Sequence, residues 1–375
     1  MCGIAAYIGE RDSLEILFGM LERLEYRGYD SAGVALATGN GLMTAKDEGR
    51  VHEVHRLAEE SWSSNGGSLS RGLSHCRWAT HGKPSKANAH PHADCTGQIL
   101  VVHNGIVENY MQLKEELLAR GHEFVSATDT EVIPHLIEEL SDGDFEKAFR
   151  DCLVRLEGSF AVCAMSVDEP DRLFVARKES PLIIGLGDGE NFVASDAPAV
   201  IPETRDVIYL DDFDYAVVGK DGVQTKNLRT GAPIVRQPKK VDWDVGRAEK
   251  GGHDHFMLKE ILEEPEAVSN ALKAMRDIER ITKKLAKFNR IYFVACGTAA
   301  YAGLCGKYLL ERFAIPSETV LGSEFRYSTA LTIDPNCAVV ALSQSGETAD
   351  TIASVKEAKK RGAYVVSIVN AIGST

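Results

Sequence analysis

The sequence predicts two architectures in succession: stacked antiparallel sheets between helical layers over residues 1–230, then a doubly wound α/β domain over 256–375, with 231–255 as a linker. Three observations carry this. Helices near the front followed by many short β-rich runs, some in meander order, suit sheet packed on sheet beneath helices. Residues 230 to 255 are polar and broken by Gln237-Pro238-Lys239-Lys240 and Gly251-Gly252, as interdomain segments are. From Ile291 onward the pattern becomes strand–helix–strand, the grammar of a parallel sheet wound on both faces.

Residues 12–26 open with Asp12 three before Glu15, and Leu14, Leu17, Phe18, Leu21 and Leu24 follow a helical stripe. Arg27-Gly28-Tyr29-Asp30 stops that helix. Ser31 to Lys46 reads as two strands around Gly39-Asn40-Gly41. Gln98–His103 is a short apolar strand ending at Asn104-Gly105. A helix from Asn109 to Arg120 has Gln112 at a capping-box position and Gly121 as its stop. Thr128–Leu140 reads as another, boxed by Thr128 and Glu131, with Pro134 near its first turn, where proline does least harm. Strands are expected at 160–167, 172–176, 182–186, 191–194, 207–210 and 215–218, with Asp221-Gly222 as a hairpin turn. Phe256–Asn289 is helical apart from Pro265. Strands at 291–295, 318–321, 337–342 and 364–369 then alternate with helices reaching Phe313 and spanning 348–360. The sequence stops directly after that last strand at Ser374-Thr375 with no closing helix, so a truncated α/β domain is expected.

Composition narrows the function. The chain has 375 residues, 44% hydrophobic and 26% charged, with net charge −13 and no dense Lys/Arg stripe. Nucleic acid and anionic membranes are not expected partners. The longest uncharged run, Ile291 to Gly306, is short and interrupted by glycine and polar residues, unlike a membrane span. Eight cysteines at irregular spacings, without CxxC and without an export-type N-terminus, point to reduced thiols in the cytoplasm. His90, Pro91, His92, Asp94 and Cys95 lack the paired spacings of a zinc motif, so no metal is expected there.

Cys2 carries the chemistry. Removal of Met1 would leave a thiol and an α-amine of reference pKa about 7.7–8.0 on one residue, a nucleophile with its own base. Cys2-Gly3-Ile4, Arg27-Gly28-Tyr29-Asp30-Ser31, Arg77-Trp78-Ala79-Thr80-His81-Gly82, His103-Asn104-Gly105 and Thr128-Asp129-Thr130-Glu131 occur in this order. This set resembles the class II glutamine amidotransferases, whose glutaminase domain is an N-terminal-nucleophile αββα sandwich. The resemblance implies Cys2 as nucleophile, with Asn104 and the Gly105 N–H as oxyanion donors. It implies Arg77 and Asp129 as grips on the α-carboxylate and α-ammonium of glutamine. Thr80 and His81 would line the glutamine site, Trp78 would gate the ammonia path, and Arg27 would support the nucleophile. Read without the family, Asn104-Gly105 is also an ordinary turn and Asp129 a natural helix-start residue.

In the second domain Ser343-Gln344-Ser345-Gly346-Glu347-Thr348 links a strand to a helix, and Cys296-Gly297-Thr298 does the same. Hydroxyls and free N–H groups at helix starts suit a phosphate, although each segment also reads as a plain N-cap. These segments resemble those of sugar-isomerase (SIS) domains. The resemblance implies fructose 6-phosphate as the second substrate, bound through Thr298, Ser343, Gln344, Ser345 and Thr348. Ala299 stands where the family commonly has serine. No cofactor is implied, and a homodimer is implied for the full-length protein. Other class II amidotransferases would need a phosphoribosyl-diphosphate or ATP-pyrophosphatase motif in place of the hydroxyl-rich string. A sugar-phosphate sensor would have no need of Cys2.

Overall fold

The computed structural model describes residues 2–39, 41–62, 70–241, 253, 256–273, 275–346 and 348–370. Met1, Asn40, Gly251-Gly252, Glu347 and Ser374-Thr375, singled out above, lie outside them. The chain divides into two units, residues 1–256 and 257–375.

In chain order the first unit contains β1 (Gly3–Ile8), α1 (Ser13–Glu22), β2 (Ser31–Thr38), β3 (Gly41–Glu48), α2 (Val51–Trp62), β4 (Arg71–Arg77), β5 (His92–Ala93) and β6 (Ile99–Val107). Then come α3 (Tyr110–Ala119), α4 (Val132–Leu140), α5 (Phe145–Arg155), β7 (Gly158–Ser166), β8 (Leu173–Lys178), β9 (Ile183–Leu186) and β10 (Asn191–Ala194). β11 (Asp206–Tyr209), β12 (Asp214–Gly219), β13 (Gly222–Asn227) and β14 (Lys239–Lys240) complete it. One sheet runs β14-β11-β9-β10-β1-β4-β2-β3 and the other β13-β12-β8-β7-β6-β5. Every pairing in both is antiparallel.

The layers follow from alternation along each strand. Ile4, Ala6 and Ile8 of β1 meet Leu100 and Val102 of β6 and Ala161, Cys163 and Met165 of β7 between the sheets. Ala5 and Tyr7 face the other way, into a core with Leu17, Phe18 and Leu21 of α1 and Val54 and Ala58 of α2. On the far side Val101, Phe160 and Phe174 pack beneath Leu113, Leu136, Ile137, Phe149 and Leu153 of α3–α5. This is the αββα sandwich. β1 lies inside the first sheet, so the residue before it is set down at the ends of β4 and β10.

Local signals held in part. Asp12 caps α1 by accepting from Leu14 N–H at 3.0 Å. Gly121 closes α3 at φ +98°, but Asn109 does not cap that helix; its carboxamide spans to Glu157 N–H and Arg155 O instead. α4 begins at Val132, four residues later than expected, because Glu131 turns back to accept from the amides of Val125 and Ser126. The linker expected from 231 is also corrected. β14 pairs with β11, and Val241 is buried with its N–H on Arg205 O at 2.8 Å. Residues 231–241 therefore belong to the first unit.

The second unit contains α6 (Phe256–Lys273), α7 (Met275–Leu285), β15 (Arg290–Ala295), α8 (Ala299–Glu311), β16 (Ser317–Leu321), α9 (Gly322–Phe325), β17 (Cys337–Ser343), α10 (Ala349–Lys360) and β18 (Tyr364–Val369). Its parallel sheet has the order β16-β15-β17-β18. The chain leaves β15 toward one side and returns on the other, so the order reverses between β15 and β17. In open α/β sheets that reversal leaves a crevice beyond the strand C-termini. None of the described helices is long and apolar enough to cross a membrane.

Candidate active site

Cys2 sits at the head of β1. Its Sγ accepts from the Trp78 N–H at 3.2 Å and lies 3.4 Å from the Trp78 carbonyl. The backbone is held from two sides: Arg27 Nε donates to Cys2 O at 2.9 Å, and Asn104 Nδ2 donates to the same oxygen at 3.1 Å. Arg27 is itself buried and paired with Asp196 at 3.2 Å. Burial pushes the Cys2 thiol up, against the Trp78 hydrogen bond and the charges of Arg77 and Arg27, which pull it down. A thiol so placed is protonated at neutral pH and needs a base before it can attack.

The loop carrying Trp78 is anchored to the Arg27–Asp30 segment. Asp30 N–H bonds Arg77 O at 3.0 Å and Asp30 Oδ2 accepts from Ala79 N–H at 2.8 Å. Gly28 lies so close that a Cβ there would be 2.6 Å from Arg77 C and Trp78 N, so no side chain fits without moving the loop that positions the thiol.

Asn104 and Gly105 fall inside β6 rather than at its end, since the strand runs on to Val107. Gly105 adopts φ +134°, and a Cβ there would stand 2.0 Å from Ser159 O, so the register with β7 requires glycine. The Asn104 orientation is fixed by its partners. His75 Nε2 lies 3.2 Å from His103 O and 2.9 Å from Asn104 Oδ1, two acceptors, so that nitrogen carries the proton. Asn104 Nδ2 then faces Cys2 O and, at 2.8 Å, Ser195 Oγ. Ser195 Oγ also accepts from Ile4 N–H at 2.7 Å. His75 and Ser195 were not picked out from the sequence, because neither belongs to a recognisable local motif.

Arg77 is buried. Its Nη2 donates to His81 O and, at 3.1 Å, to Gly82 O, while Nη1 is buried without a hydrogen-bond partner. Burial lowers its pKa, offset by the charges of Cys2, Asp129 and Asp30. The result is a preformed guanidinium with a donor to spare, suited to a carboxylate. Asp129 is buried and accepts from Val107 N–H through Oδ2 at 2.8 Å; it precedes α4 without capping it. Thr80 is exposed, and the His81 ring meets Tyr110 edge-on at 5.6 Å with its Nδ1 buried and unpartnered. Trp78 is 45% exposed, against Tyr29 at 5.8 Å.

Behind these residues lies a histidine network. His90 and His103 share Thr130 Oγ1 at 3.1 and 2.9 Å, His92 meets Thr128 Oγ1 at 3.1 Å, and His75 stacks on His90 at 4.1 Å. Burial holds His75 down to about 3, and His90, His92 and His103 below the ordinary histidine value. All four are neutral in the fold, whereas the unfolded chain protonates them near 6.5. The unfolded state therefore binds more protons under acid, so stability is whole above about pH 7 and is lost as pH falls through 6.5. Each histidine adds a slope of about 1.4 kcal/mol per pH unit wherever only the unfolded chain protonates it, so the loss steepens as pH falls below 6.5. Urea unfolding from pH 7.5 to 5 is expected to show that steep loss; a flat profile would contradict the neutral network.

In the second unit, Ala295 and Leu342 pair at the C-terminal ends of β15 and β17, the two strands that flank the order reversal. Thr298 and Thr348 precede α8 and α10, yet neither side chain caps its helix. Instead Thr348 Oγ1 lies 3.3 Å from Ser343 Oγ, which accepts from Gly346 N–H at 2.9 Å. Gly346 is at φ +72°. Gln344 is exposed and its carbonyl accepts from Asn370 N–H at 3.2 Å; Ser345 is half-buried. Thr298 and Thr348 thus stand at helix starts without capping them.

Comparison with known proteins gives the class first. Residues 75–202 match the model of a glutamine amidotransferase domain and residues 284–375 that of the SIS domain. The fold is similar to that of the glutamine phosphoribosylpyrophosphate amidotransferase from B. subtilis, with TM-score 0.55 and 19% identity over 99% of this chain and 82% of that one. The chain is an N-terminal-nucleophile amidotransferase fold followed by an SIS domain. Over its whole length it is similar to the glutamine–fructose-6-phosphate aminotransferases (isomerizing). It is 48% identical to the enzyme from Thermococcus kodakarensis, 47% to that from Pyrococcus horikoshii and 48% to that from Aquifex aeolicus. In each case it spans 62% of the relative's length.

Proposed function

We propose that the full-length protein transfers the amide nitrogen of glutamine to fructose 6-phosphate, giving glucosamine 6-phosphate and glutamate, and that this chain alone only hydrolyses glutamine. The observation that carries this reading is the convergence on Cys2 of the Trp78 N–H at its thiol and Asn104 Nδ2 at its carbonyl, with a spare buried donor on Arg77, the residue before Trp78. The 46–48% identity along the whole chain supports the sugar acceptor. It favours this reading over a phosphoribosyl acceptor, for which the likeness is in fold alone.

With Met1 removed, the Cys2 α-amine takes the thiol proton as Sγ attacks the γ-amide carbon of glutamine. Asn104 Nδ2 and the Gly105 N–H hold the oxyanion. For this, Asn104 exchanges the Cys2 carbonyl for the developing charge. The C–N bond breaks as the α-ammonium returns its proton to the departing ammonia, and water then releases glutamate from the thioester. Arg77 binds the substrate carboxylate and Asp129 its ammonium. Thr80 and His81 line the pocket, Arg27 steadies the Cys2 backbone, and Trp78 gates the exit of ammonia. The crevice of the second unit takes the sugar phosphate through Thr298, Ser343, Gln344, Ser345 and Thr348, with Ala299 supplying no hydroxyl. We assign the protein to the cytoplasm, as a homodimer at full length.

Intact-mass analysis with a glutamine-mimicking diazoketone tests this directly. One adduct on Cys2 of a chain lacking Met1 is expected, with glutamate release abolished in step. Steady glutamate release from a chain that retains Met1 would refute it.

A further inference from the structure

We infer that Cys95, His122, His135 and Glu138 form a structural zinc site, separate from the glutamine pocket. The local His90–Cys95 segment gave no metal spacing, and His90 and His92 are indeed spent on Thr130 and Thr128. Cys95 finds other partners. It lies in the turn between β5 and β6, His122 follows α3, and His135 and Glu138 stand one turn apart on α4.

Four ligand atoms converge. Cys95 Sγ is 3.5 Å from His122 Nδ1 and 3.3 Å from His135 Nδ1. Glu138 Oε2 is 3.2 Å from His122 Nδ1 and 3.6 Å from His135 Nδ1. All four lie within 4.8 Å of one another. A tetrahedron with Zn–S about 2.3 Å and Zn–N and Zn–O about 2.0–2.1 Å has edges of roughly 3.3–3.6 Å. The four separations above, 3.2–3.6 Å, are close to four of its six edges.

The surroundings support a cation rather than a hydrogen-bond cluster. Both imidazoles turn Nδ1 inward; His122 Nε2 bonds Glu139 at 3.2 Å, while His135 Nε2 is buried without a hydrogen-bond partner, 3.8 Å from Glu131. A carboxylate placed like Glu139 orients a metal-bound histidine. The Cys95 N–H donates to Glu138 Oε2 at 3.0 Å, fixing one ligand by the backbone of another. A thiolate with two imidazoles selects zinc over magnesium or calcium, and four protein ligands leave no open position, which makes the site structural. It would tie the β5–β6 turn to α4, whose leading segment carries Asp129.

The test uses the full chain, reduced and stripped with chelator, then given zinc or cobalt(II) alone. About one zinc per chain is expected to survive dialysis, and zinc is expected to raise the melting temperature. Cobalt should give the intense visible bands of a tetrahedral ion together with a near-ultraviolet thiolate charge-transfer band. Cys95→Ser should abolish that band, and Cys95→Ser and His122→Ala should each weaken zinc at least about 100-fold. Failure of the wild-type chain to retain zinc, a cobalt spectrum without the thiolate band, or unchanged zinc affinity in both variants would overturn the assignment. Should either variant not fold, the wild-type cobalt spectrum decides.

Discussion

Cys2→Ala is expected to reduce glutamate release by about 10⁴-fold or more, the scale on which removal of a covalent nucleophile acts. Among the described residues no other thiol hydrogen-bonds the Trp78 loop as Cys2 does. Cys76 is the closest other thiol in sequence to the site loop, and burial pushes it far up, out of range of the thiolate form. The fold should tolerate the change, because Cys2 lies outside the β1 ladder and its carbonyl, which Arg27 and Asn104 hold, is unaffected. Glutamine binding should survive as well, since the groups assigned to the amino-acid end, Arg77 and Asp129, keep their own anchors in the variant. A collapse in kcat with little change in glutamine affinity, measured by steady-state kinetics and by calorimetry on the inert variant, is therefore the expected pair of results. Retention of even a tenth of the wild-type rate would mean that another group attacks the amide. Cys2→Ser separates nucleophile from geometry: the hydroxyl keeps the place but ionises far less readily, so its rate should lie between those of alanine and cysteine.

Much of this centre was legible because its residues sit in short strings that keep their local meaning once folded. Cys2 precedes β1, Arg27–Asp30 precedes β2 and Arg77–Gly82 runs on from the last residue of β4, and they meet because β4 pairs with both β1 and β2. The helix and strand periods placed most elements within a few residues. What stayed hidden depends on contacts far apart in sequence. Asn104-Gly105 reads as a turn, yet β7 continues the ladder across it and demands glycine at position 105. Ser195 is 91 residues from the amide it holds, and a lone serine carries no periodic signal. Cys95 illustrates the same limit from the other side: its neighbours in sequence face inward to threonines, while its partners arrive from α4 and the segment after α3. Glu131 shows why one boundary slipped, since the carboxylate expected to box a helix start instead closes the loop before it.

Asn104→Ala is expected to lower kcat for glutamine hydrolysis by about 10²–10³-fold, the effect of losing one preorganised oxyanion donor. Its KM should hold, because the carboxamide faces Cys2 O and Ser195 Oγ rather than the amino-acid end of the substrate. Alanine also strips the acceptor from His75, leaving a buried N–H with only the longer contact to His103 O, at a cost of about 1–3 kcal/mol. A fall in kcat alone could therefore come from a loosened strand. Asn104→Asp distinguishes the two causes, since it keeps an oxygen toward His75 while removing both N–H groups. If Asn104 stabilises the oxyanion, aspartate should be at least as inactive as alanine, because it also places negative charge beside the developing one, yet it should recover much of the melting temperature. If Asn104 serves only to hold His75 and the β1 head, aspartate should restore rate and stability together. Alanine remaining within tenfold of wild type would leave the oxyanion to the Gly105 N–H alone.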